Sequence, residues 1–327
     1  MDLSIIIPMY NAEHTLERCI RSIESQDCSY NYEIIIIDDG STDNSLLKME
    51  KLSAKYKNIR IFRQSNLKQS AARNNGLSHS NGKYIMFFDI DDVIEPMMLT
   101  RMIELMSSGN DMVMCGIKKI YEKSVYIENN TCLSKARNKR QLISNYLTNN
   151  KEFDVGLWNK IYKAKIIKNH NIKFENGDFF EDSLFVLKYL YYCDSSKLVY
   201  LPECFYDLYK HFGSTTGSYN KKIDFWADEY VNKVDIFLKK RELKLDDNIW
   251  NAFRSRTKMH IVHHHIKFDD NWNARKQNGE LSFLSISKLF MMRKYLSTKY
   301  YCAVIIARFL PKIYIRMYRY RNLKNNK

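Results

Sequence analysis

The chain has 327 residues, 45% of them apolar, with 52 Lys and Arg against 37 Asp and Glu for a net charge of +15, which is enough to bury a sizeable core in one large domain plus an appendage. Ten Gly and four Pro exclude collagen-like or low-complexity structure, and apolar runs such as CAVIIA at 302–307 fall far short of the ~20 residues that a membrane-spanning helix needs. Seven scattered cysteines without a Cys-x-x-Cys pair suggest neither a disulfide framework nor a thiolate zinc site. Together with an N-terminus that carries an acid and is interrupted by Pro8, they predict a reducing, cytoplasmic setting.

In chain order, LSIIIP, EIIIID, IRIF, YIMFFD and DMVMCGI read as buried strands. Between them lie stretches of helical period: Ala12, Leu16, Cys19, Ile20 and Ile23 on one face, then Leu46 to Leu52, SAARNNGL, and Leu99, Met102, Ile103 and Met106. Strands that are apolar on both faces and separated by helices predict an α/β fold with a mostly parallel central sheet covered on both sides. From 118 to 219 the rhythm loosens into a helix around Arg140 to Leu147, the segment GLWNKIY, an amphipathic helix opening at Phe180-Glu181-Asp182, and two short strands, KLVYLP and FYDLYKHF. These residues read as the second half of the same domain, so the expected organisation is a catalytic domain over 1–219, split into 1–117 and 118–219, and a helical C-terminal region over 220–327. The excess charge sits at the end: eleven Lys or Arg and no Asp or Glu lie between Leu281 and Lys327, leaving only +4 for the rest.

Ligands of such sheets bind beyond the carboxyl ends of the strands, and those positions are polar here: Pro8-Met9-Tyr10-Asn11, Asp38-Asp39-Gly40-Ser41 and Asp89-Ile90-Asp91-Asp92. Three carboxylates at one strand exit repel one another unless a cation or hydrogen bonds offset them, and hard oxygen ligands select Mg²⁺ or Mn²⁺. The string taken alone also reads as an acid-capped helix start before Pro96. Asp38 and Asp39 can accept hydrogen bonds from a base or a ribose, while Ser41 or Asp43 accounts for part of that string as a helix cap. Tyr10 offers a ring face for a base.

Taken together, SIIIPMYNAE, IIIDDGSTDNS, SAARNNG and FFDIDDVIEP, in that order, resemble the family-2 glycosyltransferases of the GT-A fold over roughly residues 3 to 220. The resemblance implies a nucleotide sugar as donor, UDP-Glc, UDP-Gal, UDP-GlcNAc or UDP-GalNAc, and a glycan or lipid-linked acceptor in capsule, lipopolysaccharide or other surface polysaccharide synthesis. It implies that Pro8 and Tyr10 shape the base pocket and Asp39 contacts the base, that Asn11 and Asp38 belong to the same nucleotide-sugar site, that Arg73 and Asp89 approach the nucleotide and ribose, and that Asp91 binds the nucleotide sugar through Mn²⁺ or Mg²⁺. Asp182 is implied as the catalytic base, Trp158, Asn159, Lys160 and Glu181 as acceptor-side residues, and His211 as a metal or phosphate ligand. Lys68 departs from the pattern, since the family usually has Gly there. An independent argument favours Asp182, because a carboxylate at a helix N-terminus is kept ionised and can accept a proton.

The histidines at 260, 263, 264 and 265 lack the acid of a zinc-protease helix and read as a packed or solvated face. The basic, aromatic tail suits an anionic membrane surface, with nucleic acid, the catalytic domain or a second copy in a homo-oligomer as other occupants. The competing functional reading is a basic nucleic-acid-binding protein with a regulatory nucleotide site, which leaves the acidic strand ends without a purpose.

Overall fold

The computed structural model describes residues 1–175, 177, 179–210 and 218–325. The chain divides into two compact units, one of residues 1–139, 151–177 and 181–211, the other of 140–150, 178–180 and 212–327. In the first unit β1 (Leu3–Met9), α1 (Leu16–Glu24), β2 (Tyr32–Asp38), α2 (Ser45–Lys55), β3 (Ile59–Arg63), α3 (Lys68–His79) and β4 (Tyr84–Phe87) alternate as expected. There follow β5 (Val93–Ile94), α4 (Met98–Ser107), β6 (Met112–Tyr121), β7 (Ser124–Glu128), α5 (Lys139–Asn149), α6 (Glu152–Val155), β8 (Lys160–Lys163), α7 (Ala164–Asn169), α8 (Glu181–Tyr192) and β9 (Leu198–Tyr209).

One sheet runs in the order β3-β2-β1-β4-β8-β6-β9-β5, with β7 on β6. Strands β1 to β4 are parallel, and every isoleucine from Ile5 to Ile7 and from Ile34 to Ile37 is fully buried, as a strand covered on both faces requires. The other half is mixed: β8 lies antiparallel to β4 and β6, β5 antiparallel to β9, and β9 parallel to β6. The two short strands expected at 197–212 are one strand, β9, whose pairing with β6 is broken by a bulge in β9 at Pro202, which has no N–H to give to the ladder.

The register places the site. Met9 pairs with Asp38 and Ile6 with Phe87, so two residues beyond Phe87 Asp89 stands level with Pro8. The polar exits of β1, β2 and β4 therefore open at one edge. Helix α3 comes close to β1 because Gly76 has no side chain: a Cβ there would lie 2.3 Å from Ile6 Cγ2.

In the second unit α9 (Ile223–Lys239) packs on α10 (Asp247–Phe268) through Ile223, Ala227 and Ile261, while α10, α11 (Ala274–Glu280), α12 (Ile286–Met292), α13 (Thr298–Phe309) and α14 (Pro311–Asn325) surround a core that includes Met259, Val262, Trp272, Leu284, Leu289 and Ala307. Most of α5, which the sequence pattern assigns to the sheet domain, groups with these helices. Asn149 Nδ2 donates to the Tyr295 carbonyl at 3.0 Å, and Arg256 donates to Asn150 Oδ1 at 2.8 Å. No helix among the described residues is long and apolar enough to cross a membrane.

Candidate active site

The loops after β1 and β2 are laced together by short polar side chains. Asn11 adopts a left-handed conformation, φ 47°, which Asn tolerates better than most residues. Its N–H donates to Ser41 Oγ at 3.0 Å, and its Oδ1 accepts the Thr42 N–H at 2.8 Å. Ala12 N–H donates to Ser45 Oγ at 2.7 Å and Glu13 N–H to Asp43 at 3.2 Å. Ser41 and Asp43 thus brace the β1 loop; the N-cap position of α2 is Asn44, and Asp43 also accepts the Ser45 N–H at 2.9 Å. Gly40 turns the chain at φ 77°.

The paired acids serve different ends. Asp38 is fully buried; its Oδ1 accepts the Ser41 N–H at 3.0 Å, while Oδ2 lies 3.3 Å from Arg63 Nε without the alignment of a hydrogen bond. Asp39 Oδ1 accepts from Leu67 N–H at 2.9 Å and Gln64 Nε2 at 2.8 Å, holding the segment before α3. Tyr10 stands 49% exposed at the mouth of this turn.

At the centre lies Arg73, only 2% exposed. Its Nη1 donates to Asp182 Oδ1 at 2.8 Å and its Nη2 to Asp89 Oδ1 at 3.1 Å, and its Nε is buried without a hydrogen bond. The two carboxylates keep 29% and 30% of their side-chain surface, so they border solvent while the cation between them does not. Burial works against the Arg73 charge, but Asp182, Asp89 and Glu181 outweigh it and hold the guanidinium firmly ionised. Although its place at a helix N-terminus predicts a carboxylate kept ionised, burial pushes the Asp182 carboxyl up, to about 7; Arg73 pulls the other way, and Glu181 and Asp89 add to the rise. One turn earlier on α3, Gln69 Nε2 donates to Glu181 Oε1, and Asn74 exchanges two hydrogen bonds with the backbone of Phe174 at 2.8 and 2.9 Å. The motif that ends in Gly76 therefore ties α3 to the acidic start of α8 and to the strand exit at once.

Of the three acids at 89–92, Asp92 is structural. It is 1% exposed and accepts from the Tyr206 hydroxyl at 2.7 Å and the Tyr209 N–H at 2.8 Å, while burial, with Asp89 and Asp91 beside it, pushes its carboxyl well above the usual carboxylate range. Asp89 and Asp91 remain half-buried. The Asp91 carbonyl accepts from Arg18 at 2.7 Å, which fixes the turn against α1. Among the described residues no three His, Cys, Asp or Glu are grouped to hold an ion by themselves. Two accessible carboxylates with hard oxygens fit Mn²⁺ or Mg²⁺ whose remaining ligands are water and substrate phosphates.

The residues expected on the acceptor side, Trp158, Asn159, Lys160 and Glu181, are all buried. Trp158 is 5% exposed and stacks on Tyr206 at 4.7 Å; Asn159 is fully buried and donates to the Cys115 carbonyl at 2.9 Å. Lys160 is also fully buried, its Nζ donating to the Phe153 and Gly156 carbonyls and to Asn159 Oδ1. The burial of Lys160 has a simple cause: the loop closing α6 turns two carbonyls toward the start of β8, and the ammonium satisfies them. His211 lies outside the described residues. The histidines of α10 pack as expected, His265 against Asp224 and Trp272, His263 against Tyr314 and Tyr318.

A family model for glycosyl transferase family 2 matches residues 4–170, which contain every strand exit described above. The chain belongs to this family. Among curated relatives of this family-2 glycosyltransferase, the cholesterol galactosyltransferase of Borreliella burgdorferi is 33% identical over 226 residues, 66% of this chain and 62% of that protein, so the likeness spans less than two thirds of the relative's length. Among solved structures, residues 1–349 of S. aureus TarS in complex with UDP-GlcNAc share the fold at a TM-score of 0.65 and 19% identity, covering 99% of this chain and 92% of that one. The mannosyltransferase PcManGT of Pyrobaculum calidifontis, in complex with GDP-Man and Mn²⁺, has a TM-score of 0.50 at 12% identity, covering 95% and 87%.

Two contributors to this family-2 site are absent from the sequence reading. Gln69 carries a signal that finds it, since it precedes Arg73 by four residues and so shares its helix face. Tyr206, which holds Asp92, carries none, because only the register of β9 brings it there.

Proposed function

We propose that this glycosyltransferase moves a sugar, with inversion, from a UDP-linked donor to a hydroxyl of a glycan or lipid-linked acceptor in bacterial surface polysaccharide synthesis, in the cytoplasm. The observation that carries this reading is the bridge Asp182–Arg73–Asp89, which joins the acid of α8 to the exit of β4. In one displacement the acceptor oxygen attacks the anomeric carbon, the bond from that carbon to the diphosphate oxygen breaks on the opposite face, and the hydroxyl proton passes to Asp182. Oδ1 is held by Arg73, so the proton goes to Oδ2. A carboxyl raised to about 7 suits a base working near neutrality.

On the donor side Tyr10 offers its ring to the base, with Pro8, Asn11 and Asp39 shaping the pocket around it. Asp91, with Asp89 beside it, would hold Mn²⁺ or Mg²⁺; when bound, the ion supplies positive charge that offsets the departing diphosphate. The UDP-GlcNAc complex of TarS, the Mn²⁺ complex of PcManGT and the galactosyltransferase from Borreliella support a nucleotide-sugar donor and a divalent ion.

The test is release of UDP from UDP-Glc, UDP-Gal, UDP-GlcNAc and UDP-GalNAc, with and without Mn²⁺, followed by anomeric analysis of the product. One donor should turn over in a metal-dependent way, with inverted configuration. If none of the four is consumed and none binds, the donor class is wrong; a retained configuration removes Asp182 as base of a single displacement.

A further inference from the structure

Helix α14 presents two opposed faces. Tyr314 and Ile315 are each 8% exposed and pack with Val262, Ile266, Trp272 and Ala307 in the helical core. On the other side Leu310, at the helix entrance, and Ile313, Met317 and Tyr320 follow one another at three, four and three residues. They therefore line up as one stripe, and each is 51 to 64% exposed. At 100° per residue, Lys312, Arg316 and Arg319 run along one flank of this stripe and Arg321 along the other.

The basic flank borders a cavity of about 690 Å³, lined by Lys312, Arg316, Arg319 and Arg275 together with Trp272 and Ile315 among others, and no acid is in its wall. Arg319 also donates to the carbonyls of Asp269, Asp270 and Trp272 at 3.2 to 3.4 Å, which anchors its guanidinium at the cavity rim. Nowhere from Leu281 to Lys327 does an acid offset these cations.

An apolar stripe of this kind left in water marks a surface meant to be covered, and the charges beside it select the cover. A second copy in a two-fold arrangement would set the same cations against each other. A nucleic acid would satisfy the cavity but leave Ile313 and Met317 in water. A bilayer of anionic phospholipid presents phosphate and hydrocarbon side by side, at the depth of one helix.

We infer that the outer face of α14 and the adjoining basic cavity dock this protein on an anionic phospholipid bilayer, with headgroup phosphates in the cavity and Leu310, Ile313, Met317 and Tyr320 in the acyl boundary. The inference stands on the helical unit alone and does not depend on the proposed transfer reaction.

The experiment is flotation of the full chain with vesicles of phosphatidylcholine, alone or mixed with phosphatidylglycerol. The wild type should float only with the mixed vesicles. The pair Ile313→Ser and Met317→Ser should lower the partition by at least about tenfold, because several methylene groups lose their apolar environment. Lys312→Gln and Arg316→Gln should lower it roughly fivefold each. All four side chains are exposed, and melting curves matched to the wild type keep the comparison fair. Equal flotation with phosphatidylcholine alone would overturn the inference. So would an unchanged partition in the Ser pair with single-stranded RNA displacing the vesicles, which would assign the surface to nucleic acid. A stable dimer that the Ser pair splits into monomers would assign it to a second copy.

Discussion

Arg73 Nη1 lies 2.8 Å from Asp182 Oδ1, an ion pair that spans 109 residues of sequence and is buried on the arginine side alone. Its second arm reaches Asp89, so one side chain sets the separation of two acids whose mutual repulsion it neutralises. A lysine is a single point charge and cannot hold both oxygens in a fixed fork. Arg73→Lys should therefore keep the fold but lower transfer by at least about tenfold, the order of one misplaced charge-assisted hydrogen bond. Arg73→Ala should melt earlier, by up to about 3 kcal/mol, because it strips the cation from two partly buried carboxylates. Thermal melts run beside UDP-release assays separate the two effects.

The raised carboxyl of Asp182 gives a pH dependence with a definite sign. As the proposed base it must be ionised, so the transfer rate should climb as pH rises through about 7 and then level off. Stability runs the other way. The folded form keeps a proton that the unfolded chain, with an Asp pKa of about 3.9, has lost, so this group's contribution falls as pH rises from about 4 to 7. Asp182→Asn should cut the rate by roughly 10²–10⁴ and remove both slopes. A folded Asn variant with near-normal turnover would exclude Asp182 as the base.

Lys160 tests whether a buried cation near the proposed base is architectural. Burial pushes its amine down, to about 7, yet three oxygens surround Nζ and only the ammonium form has three N–H groups to give them. Lys160→Met should cost about 3 kcal/mol, since the carbonyls of Phe153 and Gly156 lose their buried partner. The lysine charge also lowers the Asp182 pKa, so the midpoint of the pH–rate profile should move upward in the Met variant. An unmoved midpoint with lost stability would make Lys160 purely structural.

What was legible in the sequence follows from how far each signal reaches. Unbroken isoleucines in β1 and β2 mark strands covered on both faces, and the acids after them mark the open edge. Asp91 and Asp92 are indistinguishable in the string DIDD; a tyrosine 114 residues away decides that Asp92 is consumed by the fold. Lys160 likewise reads as a functional cation until the carbonyls of the α6 turn claim it. The short antiparallel strand β8 and the bulged β9 escape a periodicity reading because register, and not composition, defines them.

Lys68 stands where the family pattern has glycine, and the backbone retains the glycine conformation, with φ 69°. A side chain in that region costs about 1–2 kcal/mol, while glycine loses roughly 0.5–1 kcal/mol through its freer unfolded chain. Lys68→Gly should therefore leave the melting temperature unchanged or slightly raised. What the lysine supplies in return is read from kinetics: if its ammonium meets the donor diphosphate, the Gly variant should show a higher donor KM, with a loss that shrinks as salt is added. A Lys68→Ala control keeps the strained backbone and removes only the charge. If Ala and Gly variants match the wild type in donor KM, the lysine has no part in donor binding; if only Ala loses stability, the strain at this turn is confirmed independently of catalysis.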